Sequence, residues 1–237
     1  MQKFKKIKLI EFEEIEDLND FSPLVPKNIN LLSFNERGKE IQNDSLNKDG
    51  SVAYSWFTIY DENGLQLERY NNSHSRYQLN YDENNNLISE IFLSDGSEQF
   101  RKEFNYDIEN RLLSEYYKNG SAFTKTLYEY DSQGNLRQKL LKPYNGICTT
   151  ESHFKNGLLT RINHYDQDYG KSTGSTSYEY DDFGNTIEIR KFFSPSEMTH
   201  IEIYEYKYDH NNNWTQRIHI KNSGWKIVTK REIEYFQ

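Results

Sequence analysis

Apolar and polar residues alternate with a period of two through much of the chain. Tyr77, Leu79 and Tyr81 fall on one side of such an alternation. Gln78 and Asn80 fall on the other side. Successive side chains of a β-strand point to opposite faces, so this pattern predicts strands with one packed face and one solvated face.

The alternation breaks in the C-terminal third of the chain. Ile201 and Ile203 are out of phase with the tyrosines that begin at Tyr204. A β-bulge adds one residue to a strand and so moves the following side chains to the other face. The break therefore predicts a bulge close to Ile203.

A repeated turn punctuates the strand pattern. Each turn opens on Tyr or Phe, at intervals of 21 to 28 residues, and Asp usually follows. An Asp in this place accepts a hydrogen bond from the backbone N–H two residues further on. The opening aromatics are Phe34, Tyr60, Tyr81, Tyr106, Tyr130, Phe154, Tyr180 and Tyr208, and Tyr235 stands near the end of the chain.

Every repeated turn ends on glycine or asparagine. These two residues tolerate a left-handed backbone, which a type I turn followed by a bulge requires. The pattern therefore predicts eight β-hairpins with this turn. The turn-ending residues are Gly38, Gly64, Asn85, Asn110, Gly134, Gly157, Gly184 and Asn212.

A second chain reversal is expected between successive repeated turns. The Ser-rich segment 172–177 is expected to form a flexible tip of one such reversal. Eight repeats of two strands predict an all-β fold, an antiparallel meander of about 16 strands built from tandem hairpin repeats. A twisted sheet of more than about 10 strands curls, splits or closes, so we expect a strongly curved or barrel-like sheet. Hairpin dipeptides mark other second reversals at Asp49-Gly50, Asp95-Gly96, Asn119-Gly120 and Asn145-Gly146.

The first residues of the chain do not share the repeat. We expect residues 1–30 to form an N-terminal cap segment and residues 31–237 to form the hairpin-repeat domain. Phe4, Ile7 and Ile10 have roughly helical spacing, whereas Ile7 and Leu9 alternate as in a strand, so both structures stay open. In either form the segment is expected to cover an edge of the sheet.

Three segments resemble the YD repeats of the RHS family, and the resemblance covers about residues 31–237. It implies a β-sheet shell of hairpins. The chain is too short to enclose a toxin and has no Asp-Pro dipeptide for the family's self-cleavage motif, so it looks like a small free-standing relative. The segments YYKNG (116–120) and HFKNG (153–157) also resemble MORN-type repeats of antitoxin-like proteins. The YD-like segments are YEYDSQGNLRQKL (128–140), YEYDDFGNTIEIR (178–190) and YKYDHNNNWTQRI (206–218).

The composition agrees with a sheet that is only half buried. Hydrophobic residues make up 35% of the chain and the mean hydropathy is −0.99, values that disordered chains can share. Disordered chains contain few aromatic residues, however, and this chain has 19 Tyr and 14 Phe. A tyrosine ring can pack while its hydroxyl stays in water.

Charge and cysteine content restrict the partners and the compartment. A net charge of −8 argues against nucleic acid as a ligand. We expect no membrane partner, because no apolar run approaches the 18 or so residues of a membrane helix. One cysteine, Cys148, allows neither a disulfide framework nor a thiolate metal site. The basic start of the chain lacks the apolar stretch of a signal peptide, so a cytoplasmic location is expected, or an exported or surface one if a leader was removed.

No catalytic, cofactor-binding or metal-binding motif is present in the sequence. The six histidines have no HxxxH or HExxH spacing. The turn that begins at Asp82 echoes a calcium loop but lacks that loop's Gly at position 6 and Glu at position 12. We therefore expect no enzyme, no cofactor and no metal.

Three tryptophans are the candidate partner-binding residues: Trp225, Trp214 and Trp56. Each falls in a strand-like segment, and Trp225 directly follows a turn. Together with the resemblance, they favour a non-enzymatic protein-binding module, most plausibly an immunity protein that neutralises a cognate bacterial toxin. The alternative is a surface or exported repeat protein that binds carbohydrate.

Overall fold

A computed structural model describes residues 3–15, 24–143, 146–194 and 196–236. These ranges form 18 strands and no helix, and hence no helix that could span a membrane. The predicted all-β antiparallel meander is confirmed. The eight repeated turns each connect two consecutive strands and so account for 16 strands, and one further strand before the first hairpin and one after the last bring the number to 18. Asn145 and residues 1–2 and 16–23 of the expected N-terminal segment lie outside the described residues.

The chain divides into two compact units. The first contains Met1–Arg76 and Glu202–Gln237, and the second contains Tyr77–Ile201. Two strands, β6 (Ser75–Tyr81) and β16 (Met198–Tyr208), include the positions at which the units divide.

In the first unit, antiparallel strands pair in the order β16-β17-β18-β1-β2-β3-β4-β5. The strand bounds are β1 Phe4–Phe12, β2 Pro26–Phe34, β3 Glu40–Leu46, β4 Val52–Tyr60, β5 Gln66–Asn71, β17 Trp214–Ile220 and β18 Lys226–Tyr235.

In the second unit, strands β7 to β15 pair with one another in sequence order. The bounds are β7 Leu87–Ser94, β8 Ser97–Tyr106, β9 Leu112–Asn119, β10 Ala122–Tyr130, β11 Leu136–Pro143, β12 Thr150–Lys155, β13 Leu158–Tyr165, β14 Ser172–Tyr180 and β15 Thr186–Phe193.

The N-terminal segment enters the sheet as strand β1. It pairs with β2 on one side and with β18 on the other, so that Ile7 lies between Leu32 and Ile233. Among the described residues, the buried apolar side chains are those of Ile7, Phe12, Ile218 and Val228, all in β1, β17 and β18. The strand alternative for this segment is therefore correct, and the small apolar core lies where β1 joins the sheet.

The predicted left-handed backbone is confirmed at all eight turn-ending residues, which have φ between 59° and 84°. In the turn that opens on Phe154, Asn156 also has a positive φ of 51°, so this turn is a two-residue type I′ turn rather than a type I turn followed by a bulge. In the turn after β10, Asp131 Oδ1 accepts hydrogen bonds from the backbone N–H groups of Gln133 and Asn135, both at 2.9 Å. The strand register shifts just before the opening aromatic, as at Glu129/Tyr130. Because these bonds are local to each turn, the turns can be read from the sequence.

We expect Gly134→Val to lower the free energy of unfolding by about 1–2 kcal/mol, because a β-branched residue resists the left-handed backbone. Gly134 has φ +82°, and a Cβ at this position would have no described atom within 4 Å, so backbone strain is the whole cause. Gly134→Asn should be nearly neutral, since Asn85, Asn110 and Asn212 occupy the same turn position. Urea denaturation measures both variants, and equal losses would contradict the turn geometry.

Four opening tyrosines tie neighbouring hairpins together. Each hydroxyl donates a hydrogen bond to the second strand of the preceding hairpin. This bond lies at the end of the strand pair opposite to the reversal that connects the two hairpins. The bond requires a hydroxyl group, which explains why Tyr rather than Phe opens these four turns. The hydroxyls of Tyr60, Tyr106, Tyr130 and Tyr180 donate to the carbonyl oxygens of Glu40, Leu87, Leu112 and Leu159 at 2.7–2.9 Å.

Tyr130→Phe is therefore expected to lower the free energy of unfolding by about 1 kcal/mol, the net value of one such hydrogen bond. Tyr169→Phe is the control, because Tyr169 is 80% exposed and the loss of its hydroxyl should change little. Denaturant titration of both variants tests the role of the hydroxyl. A loss of the same size in both would argue that Tyr130 acts through its ring alone.

One sequence expectation is wrong, and the bulge expected near Ile203 is absent from the pairing of β16 with β17. Residues 172–177 are not a hairpin tip, since β14 begins at Ser172. The reversal before it lies at Asp166, whose carboxylate accepts the N–H groups of Asp168 and Tyr169. In the pairing of β16 with β17, the register is regular from Ile203 to Lys207 and shifts only at Lys207/Tyr208. That pairing therefore has no bulge at Ile203, whose side chain is exposed.

Candidate binding site

Trp214 is packed against the sheet in the first unit. Its ring meets Tyr206 at 6.2 Å between centroids, in a T-shaped arrangement. The guanidinium of Arg231 lies 4.4 Å from the ring centroid and that of Arg217 lies 5.8 Å from it. These contacts hold the half-buried ring in place and give it a structural role.

Trp56 has similar surroundings on strand β4. Its ring makes a T-shaped contact with Tyr54 at 5.9 Å. The guanidinium of Arg69, on the neighbouring strand, lies 5.1 Å from the ring centroid. Trp56 is half-buried, so much of its surface already packs against neighbouring residues of the sheet.

Trp225 differs from the other two tryptophans. It follows Gly224 directly, before β18 begins, and is 40% exposed. Its carbonyl oxygen accepts the N–H of Lys221 at 2.8 Å, which closes the turn. The backbone is thus fixed while a large part of the indole ring faces solvent.

A group of exposed apolar side chains lies at the loop ends of β13 to β16 in the second unit. This loop-end rim consists of Tyr169, Phe192, Phe193 and Met198. Tyr169 is 80% exposed, Met198 is 55% exposed and both phenylalanines are 42% exposed. Sequence reasoning missed the rim, because its members come from two different reversals.

Beside the rim lies a cavity of about 540 Å³. The residues that line it include His164, Lys191 and the two rim phenylalanines. The other lining residues are Thr149, Tyr165, Thr173, Gly174, Ser175 and Thr176. Small-molecule sites typically have volumes of about 300–1,000 Å³ and combine apolar walls with a few polar groups, as this cavity does.

A polar cluster around Glu151 lies on the neighbouring strands. Glu151 Oε2 accepts hydrogen bonds from Tyr165 Oη at 2.8 Å and from Asn163 Nδ2 at 3.1 Å, and Gln138 donates to Oε1. The bonds from Asn163 and then from Tyr165, together with the nearby His153, hold the pKa of Glu151 below its usual range, although burial opposes that change. An ionised carboxylate with three donors around it is suited to fixing the sheet and poorly suited to donating a proton.

Cys148 lines a second cavity of about 270 Å³, which shares Tyr165 with the first. Burial raises the pKa of the Cys148 thiol, and the nearby charge of Glu151 raises it further. The thiolate is the nucleophilic form of cysteine. This environment therefore works against a nucleophilic role for Cys148.

A third polar group occupies β16 and β17 in the first unit. Tyr204 Oη donates to Glu202 Oε2 at 3.0 Å, and the Tyr204 ring stacks on His219 at 4.5 Å. Burial, followed by the bond to Glu202, raises the pKa of Tyr204 to about 12. Burial also lowers the pKa of His219, although Glu202 opposes that change. The Tyr204 ring and the His219 imidazole thus form a stacked pair on the sheet, with Glu202 bonded to the tyrosine hydroxyl.

The part of the chain that the structure describes contains no group of three His, Cys, Asp or Glu residues that could hold a metal ion. Metal sites in proteins need several such ligands around one point. The polar groups described above are instead engaged with one another.

Comparison with known proteins gives a likeness of fold. No protein-family model matches the chain, and no curated protein matches it. A crystal structure of a porin-like protein from Bacteroides uniformis is 10% identical, with a TM-score of 0.52 over 98% of both chains. At that identity the similarity concerns the fold alone.

Two further solved structures contain a much longer chain, of which this one spans a small part. The TcdB2-TccC3-Cdc42 crystal structure is 17% identical, with a TM-score of 0.42 over 83% of this chain and 11% of that chain. The Tc holotoxin pore of Photorhabdus luminescens with the TccC3 D651A mutation is 16% identical, with a TM-score of 0.41 over 85% and 11%. These TM-scores are too low to carry an argument, so the RHS-type resemblance rests on the repeated motifs.

Proposed function

We propose that this chain is a non-enzymatic protein-binding module that neutralises a cognate bacterial toxin. The observation that carries the proposal is the exposure of large aromatic side chains on turns and at a strand end: Trp225 in one unit, and in the other Tyr169 on a turn and Phe192 and Phe193 at the end of β15. Aromatic side chains give a large contact area at a small cost in conformational entropy, and they dominate the energetics of many interfaces.

The engagement of the acid–base groups supports a non-enzymatic role. Glu151 is saturated with donors, Glu202 accepts the Tyr204 hydroxyl and the Cys148 thiol has a raised pKa. A catalytic group must reach a substrate with a suitable pKa. The toxin as partner comes from the resemblance of the repeated motifs to those of RHS-type and antitoxin-like proteins.

The net charge of −8 suits a basic partner, because opposite charges accelerate encounter between two proteins. The binding test uses surface plasmon resonance between this chain and the toxin encoded beside its gene. We expect a Kd of about 1 nM or tighter. We also expect the association rate to fall as NaCl rises from about 50 mM to about 500 mM.

An unrelated acidic protein of similar charge is the control for non-specific attraction. It should show no saturable binding to the same toxin. Absence of binding by this chain at micromolar concentration would rule out the proposed partner. Binding of equal strength by the control would reduce the interaction to general charge attraction.

A further inference from the structure

We propose that a cavity of about 310 Å³ in the first unit binds a small organic monocarboxylate, whose carboxylate group is held by the Arg217 guanidinium. The residues that line this cavity come from β1, β2, β3, β17 and β18. Its volume lies at the lower end of the range for small-molecule sites, about 300–1,000 Å³. The site is independent of toxin binding, since its lining includes none of the exposed aromatic residues on which that proposal rests.

The register of the sheet places Arg217 beside the cavity. Arg217 on β17 pairs with Thr229 on β18, and Thr229 pairs with Glu11 on β1. Paired residues place their side chains on the same face of a sheet. Arg217 Nη2 donates a hydrogen bond to Thr229 Oγ1 at 3.4 Å. Because Thr229 also lines the cavity, this bond brings the charged end of Arg217 to the cavity.

The Arg217 side chain is held by two aromatic rings before any ligand binds. Its guanidinium carbon lies 5.9 Å from the centroid of the Tyr204 ring and 5.8 Å from that of the Trp214 ring. Stacking of this kind occupies the faces of the planar guanidinium and leaves the N–H groups in its plane able to donate. A carboxylate accepts two such bonds side by side. The geometry of Arg217 therefore suits a carboxylate.

The positive charge of Arg217 has no counter-ion among the described residues. The acidic residue of the cavity lining, Glu11, accepts a hydrogen bond from Asn28 Nδ2 at 3.0 Å, and Lys27 Nζ lies 4.0 Å from the same carboxylate. The lining thus contains two cations, Arg217 and Lys27, and one carboxylate that is already paired with Lys27. The excess charge belongs to Arg217 and attracts an anion.

Two guanidinium groups in this part of the sheet are poorly hydrated. The Nε atoms of Arg217 and Arg231 are both buried and have no hydrogen-bond partner among the described residues. Arg231 pairs with Leu9, which lines the cavity. Burial lowers the pKa of Arg231, although Tyr235 and Asp209 oppose that change. Opposite charges attract more strongly where water is excluded, so both cations favour an anion in the cavity.

The remaining lining residues select a singly charged ligand with a short apolar body. Leu9 lies two residues before Glu11 and so places its side chain on the same face of β1. It offers an apolar contact for a short carbon chain. A doubly charged anion such as phosphate would place its second charge near Glu11, which repels it. A small monocarboxylate such as butyrate meets both conditions.

The test is titration of the isotope-labelled full chain with sodium butyrate at constant pH, followed by NMR. We expect a saturable shift of the amide signals of Leu9, Arg217 and Thr229. Butyramide has nearly the same shape without the charge, and should bind at least about tenfold more weakly. Inorganic phosphate should also bind more weakly than butyrate. Sodium chloride at the same ionic strength is the control for a general effect of salt.

Arg217→Gln should weaken butyrate binding by about tenfold or more, because the variant loses the charged donors. Lys230→Gln is the matched control and should change binding by less than about twofold. It removes the same charge from β18, but Lys230 is exposed and, as the neighbour of Thr229, points to the opposite face. A thermal melt shows whether each variant retains the native fold. If Arg217→Gln does not fold, Arg217→Lys replaces it and should also weaken binding, since an ammonium lacks the planar pair of donors.

Three results would overturn the proposal. The first is the absence of a saturable shift with butyrate at about 50 mM, a concentration that detects even millimolar affinities. The second is binding of butyramide or phosphate that equals or exceeds that of butyrate. The third is equal weakening by the variants at Arg217 and Lys230, which would reduce the effect to the net charge of the chain.

Discussion

Gly174→Ala is expected to lower the free energy of unfolding by about 3 kcal/mol or more, from backbone strain and from overpacking together. The added Cβ would lie 2.1 Å from Phe192 O, a backbone atom whose movement would disturb the β14–β15 ladder. Ser175 and Phe193, on either side of that contact, would have to move with it. Urea denaturation gives the size of the loss.

Gly184→Ala is the matched control. Gly184 has a positive φ of +80°, but no described atom lies within 4 Å of the place that a Cβ would take. Its alanine variant should lose about 1 kcal/mol, from strain alone. Equal losses in the two variants would mean that the close approach of Phe192 to Gly174 is absent in solution.

Trp225→Ala is expected to weaken toxin binding by about 2 kcal/mol or more, roughly 30-fold, with little change in melting temperature. The ring is 40% exposed, and the turn is closed by the backbone bond from Lys221, which the substitution leaves intact. Isothermal titration and a thermal melt of the same variant separate binding from stability.

Trp214→Ala should behave in the opposite way. Its ring packs against Tyr206 and Arg231, so truncation should lower the melting temperature clearly. A large fall in melting temperature for Trp225→Ala would instead assign that ring to the packed part of the sheet. Unchanged binding would remove Trp225 from the interface.

The turns could be predicted because their chemistry is local. Asp131 bonds to N–H groups two and four residues ahead, and Gly134 supplies the left-handed backbone within the same five residues. The strand identity of the N-terminal segment could not be decided in this way. Ile7 becomes buried only because Leu32 and Ile233, far apart in the sequence, pair on either side of it.

The cavity beside the loop-end rim was out of reach of sequence reasoning for the same reason. Gly174 lies in a run of serines and threonines that reads as a flexible tip, yet its neighbours in the sheet are His164 and Phe193. Asp166 also follows a tyrosine and forms a turn, but this turn lies between two of the repeated turns and is not one of them. Its turn shows that the Tyr-Asp pair predicts a reversal but does not by itself place it in the repeat.

The most direct test of toxin neutralisation is a growth assay in cells that express the protein encoded beside this chain's gene, with and without this chain. We predict that the neighbour stops growth when expressed alone and that co-expression of this chain restores it. Trp225→Ala should restore growth less well than Trp56→Ala at equal amounts of folded protein. A harmless neighbour, or toxicity that this chain leaves unchanged, would contradict the proposed function.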